Sequence, residues 1–103
     1  MAYVIIYTSS ARQQLRALPA SQRRLVLDAI EQQLTFEPRN ETRNRKRMST
    51  NTLAPWELRV GDMRIFYDVE AKTESDEPDT VAILAIGRKE GNRLFIGGKE
   101  VKL

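Results

Sequence analysis

The sequence predicts an α+β fold in which an N-terminal strand and a two-helix hairpin precede an antiparallel sheet, in the order β-α-α-β-β-β. Three observations predict this class. Apolar and polar side chains alternate strictly on both sides of Gly61-Asp62, and two helical patterns are separated by a proline. In addition, every residue of the segment 80–86 except the first is apolar. A chain of 103 residues is long enough for one core and too short for two. We therefore expect a single domain over residues 1–103.

The first third of the chain is predicted to form one strand and two helices. Residues 3–7 are β-prone and predict the first strand. Ser10 and Gln13 form a capping-box pattern, and apolar residues at helical spacing continue to Pro19, which predicts a short first helix. A second helix is predicted from residue 20 to about residue 36, where Pro38 ends it. The apolar stripe of that helix, which should cover one face of the sheet, is predicted to consist of Leu27, Ile30 and Leu34, widened by Leu25 and Val26.

Residues 55–70 carry the signature of a β-hairpin, because a glycine at the turn supplies the positive φ that a two-residue loop requires. Pairing outward from the turn places Val60 opposite Met63 and, at the far end, Trp56 opposite Tyr67. The two faces are unlike. One face carries the apolar set Trp56, Leu58, Val60, Met63, Ile65, Tyr67 and Val69. The other carries Glu57, Arg59, Arg64, Phe66 and Asp68.

The same register puts Arg59 directly opposite Arg64 on the second face. Like charges in a cross-strand pair destabilise a sheet, so folding alone gives no reason for this arrangement. A phosphate or carboxylate held between the two planar guanidiniums would remove the repulsion. The alternative is that Glu57 neutralises Arg59, or that Asp68 neutralises Arg64 diagonally.

Residues 39–50 have no periodicity and contain a cluster of Arg43, Arg45, Lys46 and Arg47. We predict a mobile basic loop that lies along a nucleic-acid backbone through charge. The alternative is a solvated connection without a partner.

The C-terminal half continues with an acidic turn region over residues 71–79 and then a central strand over residues 80–86, covered on both faces. Gly87 is predicted to end this strand, so that Arg88 and Lys89 project from its end into a cleft. Residues 93–101 are predicted to form a small hairpin around Gly97-Gly98. The alternatives for this segment are a loose tail or one shaped by a partner.

Composition limits the chemistry. The chain has 17 basic and 14 acidic residues, a net charge of +3 and a pI of about 9.5, which suggests a polyanionic partner. Without cysteine or histidine, disulfides, thiolate nucleophiles, structural zinc and imidazole acid–base pairs are excluded. Chemistry must use Lys, Arg, Tyr and carboxylates, and we expect neither a cofactor nor a metal. Because no membrane-length apolar run or signal peptide is present, we expect a cytoplasmic protein without membrane contact.

These features together resemble the RelE/ParE superfamily of toxins from bacterial toxin–antitoxin modules, and the resemblance covers nearly the whole chain. Its most specific part is residues 56–69, Trp-Glu-Leu-Arg-Val-Gly-Asp-Met-Arg-Ile-Phe-Tyr-Asp-Val. A weaker match is Gly87 with the basic residues that follow it.

RelE-like members are ribosome-dependent endoribonucleases, and the resemblance implies a role for several residues of this chain. Arg59 would contact the RNA backbone, and Arg64 would hold the scissile phosphate. Lys89, or the adjacent Arg88, would stabilise or protonate the leaving 5′ oxygen. The reaction implied is attack of a ribose 2′ hydroxyl on its own phosphate, with clustered cations stabilising the developing charge.

The chain departs from the RelE pattern at two positions. Glu57 stands where RelE has a basic residue, and Phe95 stands where RelE has a C-terminal tyrosine. Phe95 can stack on a base but cannot donate a hydrogen bond. Since Arg59 cannot lose its proton, we hypothesise that Glu57 is the general base. The alternative is that Glu57 serves only as an ion-pair partner of Arg59.

The resemblance leaves two other functions open. ParE-like members have no nuclease activity and inhibit DNA gyrase by protein binding, and an inactive relative would serve only as a partner in DNA-binding repression by the complex. In every case the resemblance implies a cognate antitoxin, usually a small protein with a disordered segment that folds across the toxin, and we predict that this partner is acidic where it meets Arg59 and Arg64. The ribosome and mRNA are the further expected partners, and DNA is reached only through the antitoxin complex.

Overall fold

A computed structural model describes residues 2–72 and 76–103 and contains two helices and seven strands. In chain order the elements are β1 (Val4–Tyr7), α1 (Ser9–Arg16), α2 (Ala20–Leu34), β2 (Arg45–Arg47), β3 (Trp56–Val60), β4 (Met63–Glu70), β5 (Thr80–Glu90), β6 (Arg93–Ile96) and β7 (Lys99–Val101). The predicted α+β class is confirmed. None of the helices in this part of the chain is long and apolar enough to cross a membrane.

All seven strands form one sheet, in the order β2-β3-β4-β5-β6-β7, and β1 lies outside this path as a parallel partner of β5. The other pairs are antiparallel. The 11-residue strand β5 is central, because it pairs with β4 on one edge and with β1 and then β6 on the other. The predicted C-terminal hairpin is present as β6 and β7, with Gly97 and Gly98 at positive φ in the turn.

The helices cover only one face of the sheet, which we call the covered face. Buried side chains of both helices pack there against the apolar set of the β3–β4 hairpin, and the contacts include Ala11, Val26, Ile30 and Leu34. Arg23 of α2 links the helices by donating to the carbonyl of Leu15 in the last turn of α1 at 3.3 Å and to that of Leu18, just after α1, at 3.0 Å. The predicted helical hairpin and its place on the sheet are therefore confirmed.

The predicted stripe of α2 was partly wrong. Val26, Ile30 and Leu34 are buried, whereas Leu27 is 36% and Leu25 is 56% exposed. Adjacent apolar residues offer two overlapping stripes of helical spacing, and contact with the sheet selects the one that includes Val26. The helix also ends at Leu34, before the predicted residue 36.

The first helix begins earlier than its capping-box pattern indicates. Thr8 is the N-cap, and its Oγ1 accepts a hydrogen bond from the Ala11 N–H at 3.1 Å. The same hydroxyl donates to the Leu84 carbonyl at 3.3 Å, and Gln14 Oε1 accepts from the Ile86 N–H at 2.7 Å. These two side chains form hydrogen bonds with backbone groups of β5 in the stretch between its pairing with β1 and its pairing with β6. The start of α1 therefore fills a gap in the sheet edge.

The opposite face, which we call the open face, carries a second and smaller apolar cluster. Phe66, Ala85 and Leu94 are buried there with Ala54 of the loop before β3. Phe66 pairs with Ala85, whereas the next pair is Tyr67 with Ile83, so Leu84 is an additional residue at a β-bulge. The loop before β3 and the last strand cover part of this face, and the charged residues of the hairpin occupy the rest.

Two predicted loop boundaries were wrong. The basic segment is not a loop throughout, because Arg45–Arg47 forms β2 against β3. Strand β5 does not end at Gly87 but continues to Glu90. A Cβ at position 87 would lie 2.7 Å from the Phe95 carbonyl oxygen, so glycine permits the close approach of β6 rather than a break. Of the predicted acidic turn, residues 73–75 lie outside the described residues.

Candidate phosphate-binding face

The open face brings three of the predicted catalytic side chains together on the β3–β4 hairpin. The register confirms that Arg59 faces Arg64 and that Glu57 faces Phe66. Glu57 Oε2 accepts a hydrogen bond from Arg59 Nε at 3.2 Å, and Glu57 Oε1 lies 3.5 Å from Arg64 Nε. One carboxylate therefore bridges both guanidiniums. The alternative to a bound anion was that Glu57 neutralises Arg59. The structure has this ion pair, and Glu57 neutralises Arg64 as well.

Arg64 is held more firmly than Arg59. Its Nη1 donates to the carbonyl oxygens of Gly61 and Met63 at 2.7 and 2.8 Å, and its side chain is 14% exposed. Its buried Nε has no hydrogen bond, since the contact with Glu57 is an ion pair only. Arg59 is 47% exposed and contacts only Glu57 among the described residues. The hairpin turn thus holds the Arg64 guanidinium in place, whereas the more exposed Arg59 guanidinium is held by Glu57.

Asp68 does not neutralise Arg64. Its Oδ1 accepts a hydrogen bond from the Val69 N–H at 2.8 Å, and the carboxylate beside Arg64 is that of Glu57. The diagonal alternative was therefore wrong. The open face has one carboxylate serving two arginines, rather than two separate ion pairs.

Lys89 and Lys46 extend the cationic group on the same face. Lys46 of β2 pairs with Glu57, and Lys89 of β5 pairs with Leu94, whose side chain lies in the open-face apolar cluster. Lys89 and Glu57 also line a common cavity of about 410 Å³. The cations of Arg59, Arg64, Lys89 and Lys46 therefore lie with Glu57 on one side of the sheet. With Glu57 included, this group keeps an excess of positive charge, which favours an anionic partner such as a phosphodiester.

The other basic residues of the predicted β2 cluster have different surroundings. Arg45 is 8% exposed, and its Nε and Nη1 donate to the carbonyls of Asn40 and Gln33 at 2.8 and 2.7 Å. The guanidinium of Arg47 lies 5.5 Å from the ring centroid of Trp56 on the covered face. Arg43 is exposed in the turn before β2.

Arg88 and Phe95 lie on the covered face, away from Arg59 and Arg64. They pair with each other across β5 and β6, and Arg88 also pairs with Met63 of the covered face. Both line a cavity of about 570 Å³ between α1 and the C-terminal hairpin, and Arg88 Nη2 lies 2.8 Å from Glu90 Oε1. Because β5 continues past Gly87, Arg88 and Lys89 point to opposite faces. The prediction that they project together into one cleft was wrong.

The buried hydroxyl of Tyr67 contributes to the fold rather than to the open-face site. It donates to the Pro38 carbonyl at 2.6 Å, and its ring stacks on Trp56 with centroids 6.1 Å apart. Burial raises the pKa of Tyr67, and nearby Arg45 lowers it by a smaller amount. Burial likewise raises the pKa of Tyr7. Neither hydroxyl is suited to proton transfer near neutral pH.

The structure reveals one contributor that the sequence did not indicate. The segment after β6 contributes Glu100, Val101, Lys102 and Leu103 to the cavity that contains Glu57 and Lys89. Alternation in β7 is too short to assign its faces from sequence. Among residues 2–72 and 76–103, no group of three or more acidic side chains is placed to hold a metal ion.

A small basic α+β domain with a helical hairpin on one sheet face and clustered guanidiniums on the other has the architecture of a RelE/ParE superfamily toxin. Residues 5–93 match the family described as the ParE toxin of the type II toxin–antitoxin system, parDE. The chain belongs to this family and is a toxin of a type II toxin–antitoxin system.

A solved structure agrees with this assignment. The chain is similar, with a TM-score of 0.68 and 26% identity, to a chain in the crystal structure of the RelBE2 toxin–antitoxin complex from Mycobacterium tuberculosis. The similarity covers 86% of this chain and 100% of that one. No curated protein sequence matches. An antitoxin protein is accordingly the cognate partner of this toxin.

Proposed function

We propose that this toxin is a ribosome-dependent mRNA endoribonuclease that inhibits translation. The supporting observation is that Arg59, Arg64 and Lys89 share the open face with Glu57, which contacts both arginines and lines a cavity with Lys89. The register of the strands brings the two guanidiniums together, and Glu57 lies beside both in the free protein; a phosphodiester would take the place of this carboxylate. The ribosome supplies the mRNA in an extended form and helps to position it.

The proposed reaction breaks one P–O bond and forms another. The ribose 2′ oxygen attacks the adjacent phosphorus, the bond to the 5′ oxygen of the next nucleotide breaks, and a 2′,3′-cyclic phosphate remains. Arg64, which the turn carbonyls hold in place, binds the nonbridging oxygens, and the more exposed Arg59 contacts the RNA backbone. The Lys89 ammonium gives a proton to the leaving 5′ oxygen.

Glu57 is the proposed acceptor of the 2′ proton. Its two oxygens face Arg59 and Arg64 in the free protein, and each oxygen retains a second lone pair. An incoming phosphate competes for the same guanidiniums and thereby releases the carboxylate beside the 2′ hydroxyl. Glu57→Gln preserves the shape but removes the base, so single-turnover cleavage should fall by about 100-fold or more. Unchanged cleavage in this variant would reject the base assignment and leave Glu57 as an ion-pair partner.

Expression of the protein without its antitoxin tests the overall function. We expect growth arrest and transcript ends that follow the reading frame, mapped by primer extension. Arg64→Gln should reduce cleavage by about 100-fold or more, since a preorganised group that stabilises developing charge is lost. Arg24→Gln is the matched control, because Arg24 lies on α2 with a side chain 83% exposed. Intact transcripts during growth arrest would refute the nuclease function.

Inhibition of DNA gyrase is the second candidate, and two observations favour it. The matched family is the ParE toxin family, and both hairpin arginines already have a carboxylate partner. In this case the toxin would act by binding protein, and a supercoiling assay with purified gyrase would detect it. Gyrase inhibition with intact transcripts would support this candidate. Normal growth with neither effect would leave an inactive relative that acts only within the repressing antitoxin complex on DNA.

We further propose that the antitoxin covers the open face with acidic side chains, because Arg59 and Lys46 present positive charge there. The proposed place of action is the cytoplasm, where ribosomes and gyrase are found. A toxin–antitoxin complex in which Arg59 and Arg64 both remain open to solvent would contradict this proposal for the partner.

A further inference from the structure

Strand β1 has an outer edge without the charged residues that usually protect such an edge. Among the described residues, β1, β2 and β7 each pair with a strand on one edge only. Natural proteins prevent pairing with other chains at such edges by placing charged side chains on them, among other devices. Strands β2 (Arg-Lys-Arg) and β7 (Lys-Glu-Val) carry such charges, whereas β1 is Val-Ile-Ile-Tyr, and no residue from 2 to 11 is charged. The edge of β1 is therefore open to pairing with another strand.

The hydrogen bonds of β1 show which of its backbone groups face outward. The N–H groups of Val4 and Thr8 donate to carbonyls of β5 and of the residue just before it, at 2.9 and 3.1 Å. Because backbone groups of successive residues point to opposite edges of a strand, the N–H and C=O groups of Ile5 and Tyr7 point away from β5. These two residues provide the donors and acceptors that a further strand would use.

Exposed apolar side chains flank the same edge. Val4 and Ile6 are 44% and 47% exposed. At the start of the strand, the Tyr3 N–H donates to the Thr35 carbonyl at 2.7 Å, and the next residue, Phe36, is 68% exposed. Association at this edge would therefore bury apolar surface as well as form backbone hydrogen bonds.

We propose that a second copy of this chain pairs with β1 in antiparallel orientation, about a two-fold axis that lies between the two Ile6 residues. In an antiparallel pair, residues with outward-facing backbone groups lie opposite each other, so Ile5 of each copy pairs with Tyr7 of the other. This register uses both outward-facing residues of each strand and forms about four hydrogen bonds. Ile6 of one copy then contacts Ile6 of the other at the centre of the interface, as the symmetry of such a dimer requires.

The distribution of charge favours a second copy over the antitoxin as the occupant of this edge. An acidic antitoxin segment is attracted to Arg59 and Lys46 on the open face, whereas residues 2–11 have no charge to attract it. For a second copy the same lack of charge is favourable, because two molecules that each carry a net charge of +3 meet at an uncharged segment.

The test exchanges charges at the centre of the proposed interface. The full-length chain is separated from its antitoxin by unfolding in guanidinium chloride and is then refolded, and sedimentation velocity measures its mass over a dilution series. We expect the wild type to approach the mass of a dimer as its concentration rises. Ile6→Lys and Ile6→Asp should each weaken the association by about tenfold or more, because like charges would face each other across the two-fold axis. An equimolar mixture of these two variants should restore the dimer, since opposite charges then face each other.

Leu25→Lys is the matched control, because Leu25 is a 56% exposed apolar residue of α2. It should associate as the wild type does, and equal thermal unfolding midpoints would verify that all variants keep the fold. A wild type that stays monomeric at every concentration would overturn the proposal, and loss of antitoxin binding by Ile6→Lys would then assign the edge to the antitoxin. Equal weakening by Leu25→Lys, or a mixture of the two Ile6 variants that stays monomeric, would overturn it as well.

Discussion

Replacing Arg45 by alanine tests whether this buried arginine belongs to the RNA-binding set predicted from sequence or to the scaffold. Its guanidinium donates to the carbonyls of Gln33 and Asn40 and to the Gln33 side-chain oxygen at 3.0 Å. Gln33 lies in the last turn of α2, where carbonyls have no partner within the helix. Arg45 thereby joins β2, the end of α2 and the following loop.

The expected loss of stability follows from these contacts. A hydrogen bond with one charged partner contributes about 1.5–3 kcal/mol, and two nitrogens of Arg45 make such bonds to backbone oxygens. The positive charge near the C-terminus of α2 adds about 0.3–1 kcal/mol. Truncation also removes a desolvated charge, which offsets part of the loss. We therefore expect Arg45→Ala to lower the free energy of unfolding by about 3–5 kcal/mol.

Urea denaturation followed by circular dichroism measures this change. Arg43→Ala is the matched control, since Arg43 is exposed in the same basic segment, and its effect should stay within about 0.5 kcal/mol. Arg45→Lys keeps the charge without the two-nitrogen fork, and we expect an intermediate stability. If Arg45→Ala is as stable as Arg43→Ala but loses RNA binding as strongly as Arg59→Ala does, the structural interpretation is refuted.

Three further predictions concern the scaffold. Burial raises the pKa of Tyr67 above its ordinary value of 10.0. The protonated hydroxyl therefore makes its full contribution to the free energy of unfolding below that pH. This contribution is lost as pH rises toward the folded-state pKa, by at most about 1.4 kcal/mol per pH unit. Tyr67→Phe should flatten this decline in urea titrations, and an unchanged decline would contradict the assignment. Gln14→Ala should reduce stability by about 1–2 kcal/mol, since a β5 backbone N–H loses its acceptor, whereas the exposed control Gln13→Ala should not. Gly87→Ala should reduce stability by about 1–3 kcal/mol because its Cβ would meet the Phe95 oxygen, and wild-type stability would show that β6 moves away freely.

The sequence predicted the central hairpin well because three local signals agree there. Alternation sets the two faces, Gly61 at a φ of 60° allows the turn, and a two-residue loop leaves one register. The facing of Arg59 and Arg64 follows from that register alone. Whether Glu57 would bridge both arginines could not be read from spacing, because it depends on side-chain conformations across two strands.

Elements that depend on distant partners were predicted less well. The basic residues of β2 look like a loop in isolation, and they become a strand only because β3 offers an edge. In the sequence Gly87 looks like the residue that ends a strand. In the structure, the absence of a side chain at Gly87 allows the backbone of Phe95 to approach closely. The resulting extension of β5 decides which face each neighbouring cation occupies. The error at the end of this strand, which runs to Glu90 rather than to residue 86, therefore changed the predicted site more than any error in the helices did.

The central position of β5 has a consequence for synthesis of the protein. Thr8 contacts Leu84 across 76 positions of sequence, and β1 finds its only described strand partner in β5. A nascent chain that has not reached Glu90 lacks the strand that joins β1, β4 and β6. Contacts of such long range slow folding. We therefore expect the sheet, and with it the open face that carries Arg59 and Arg64, to form only after β5 has been made.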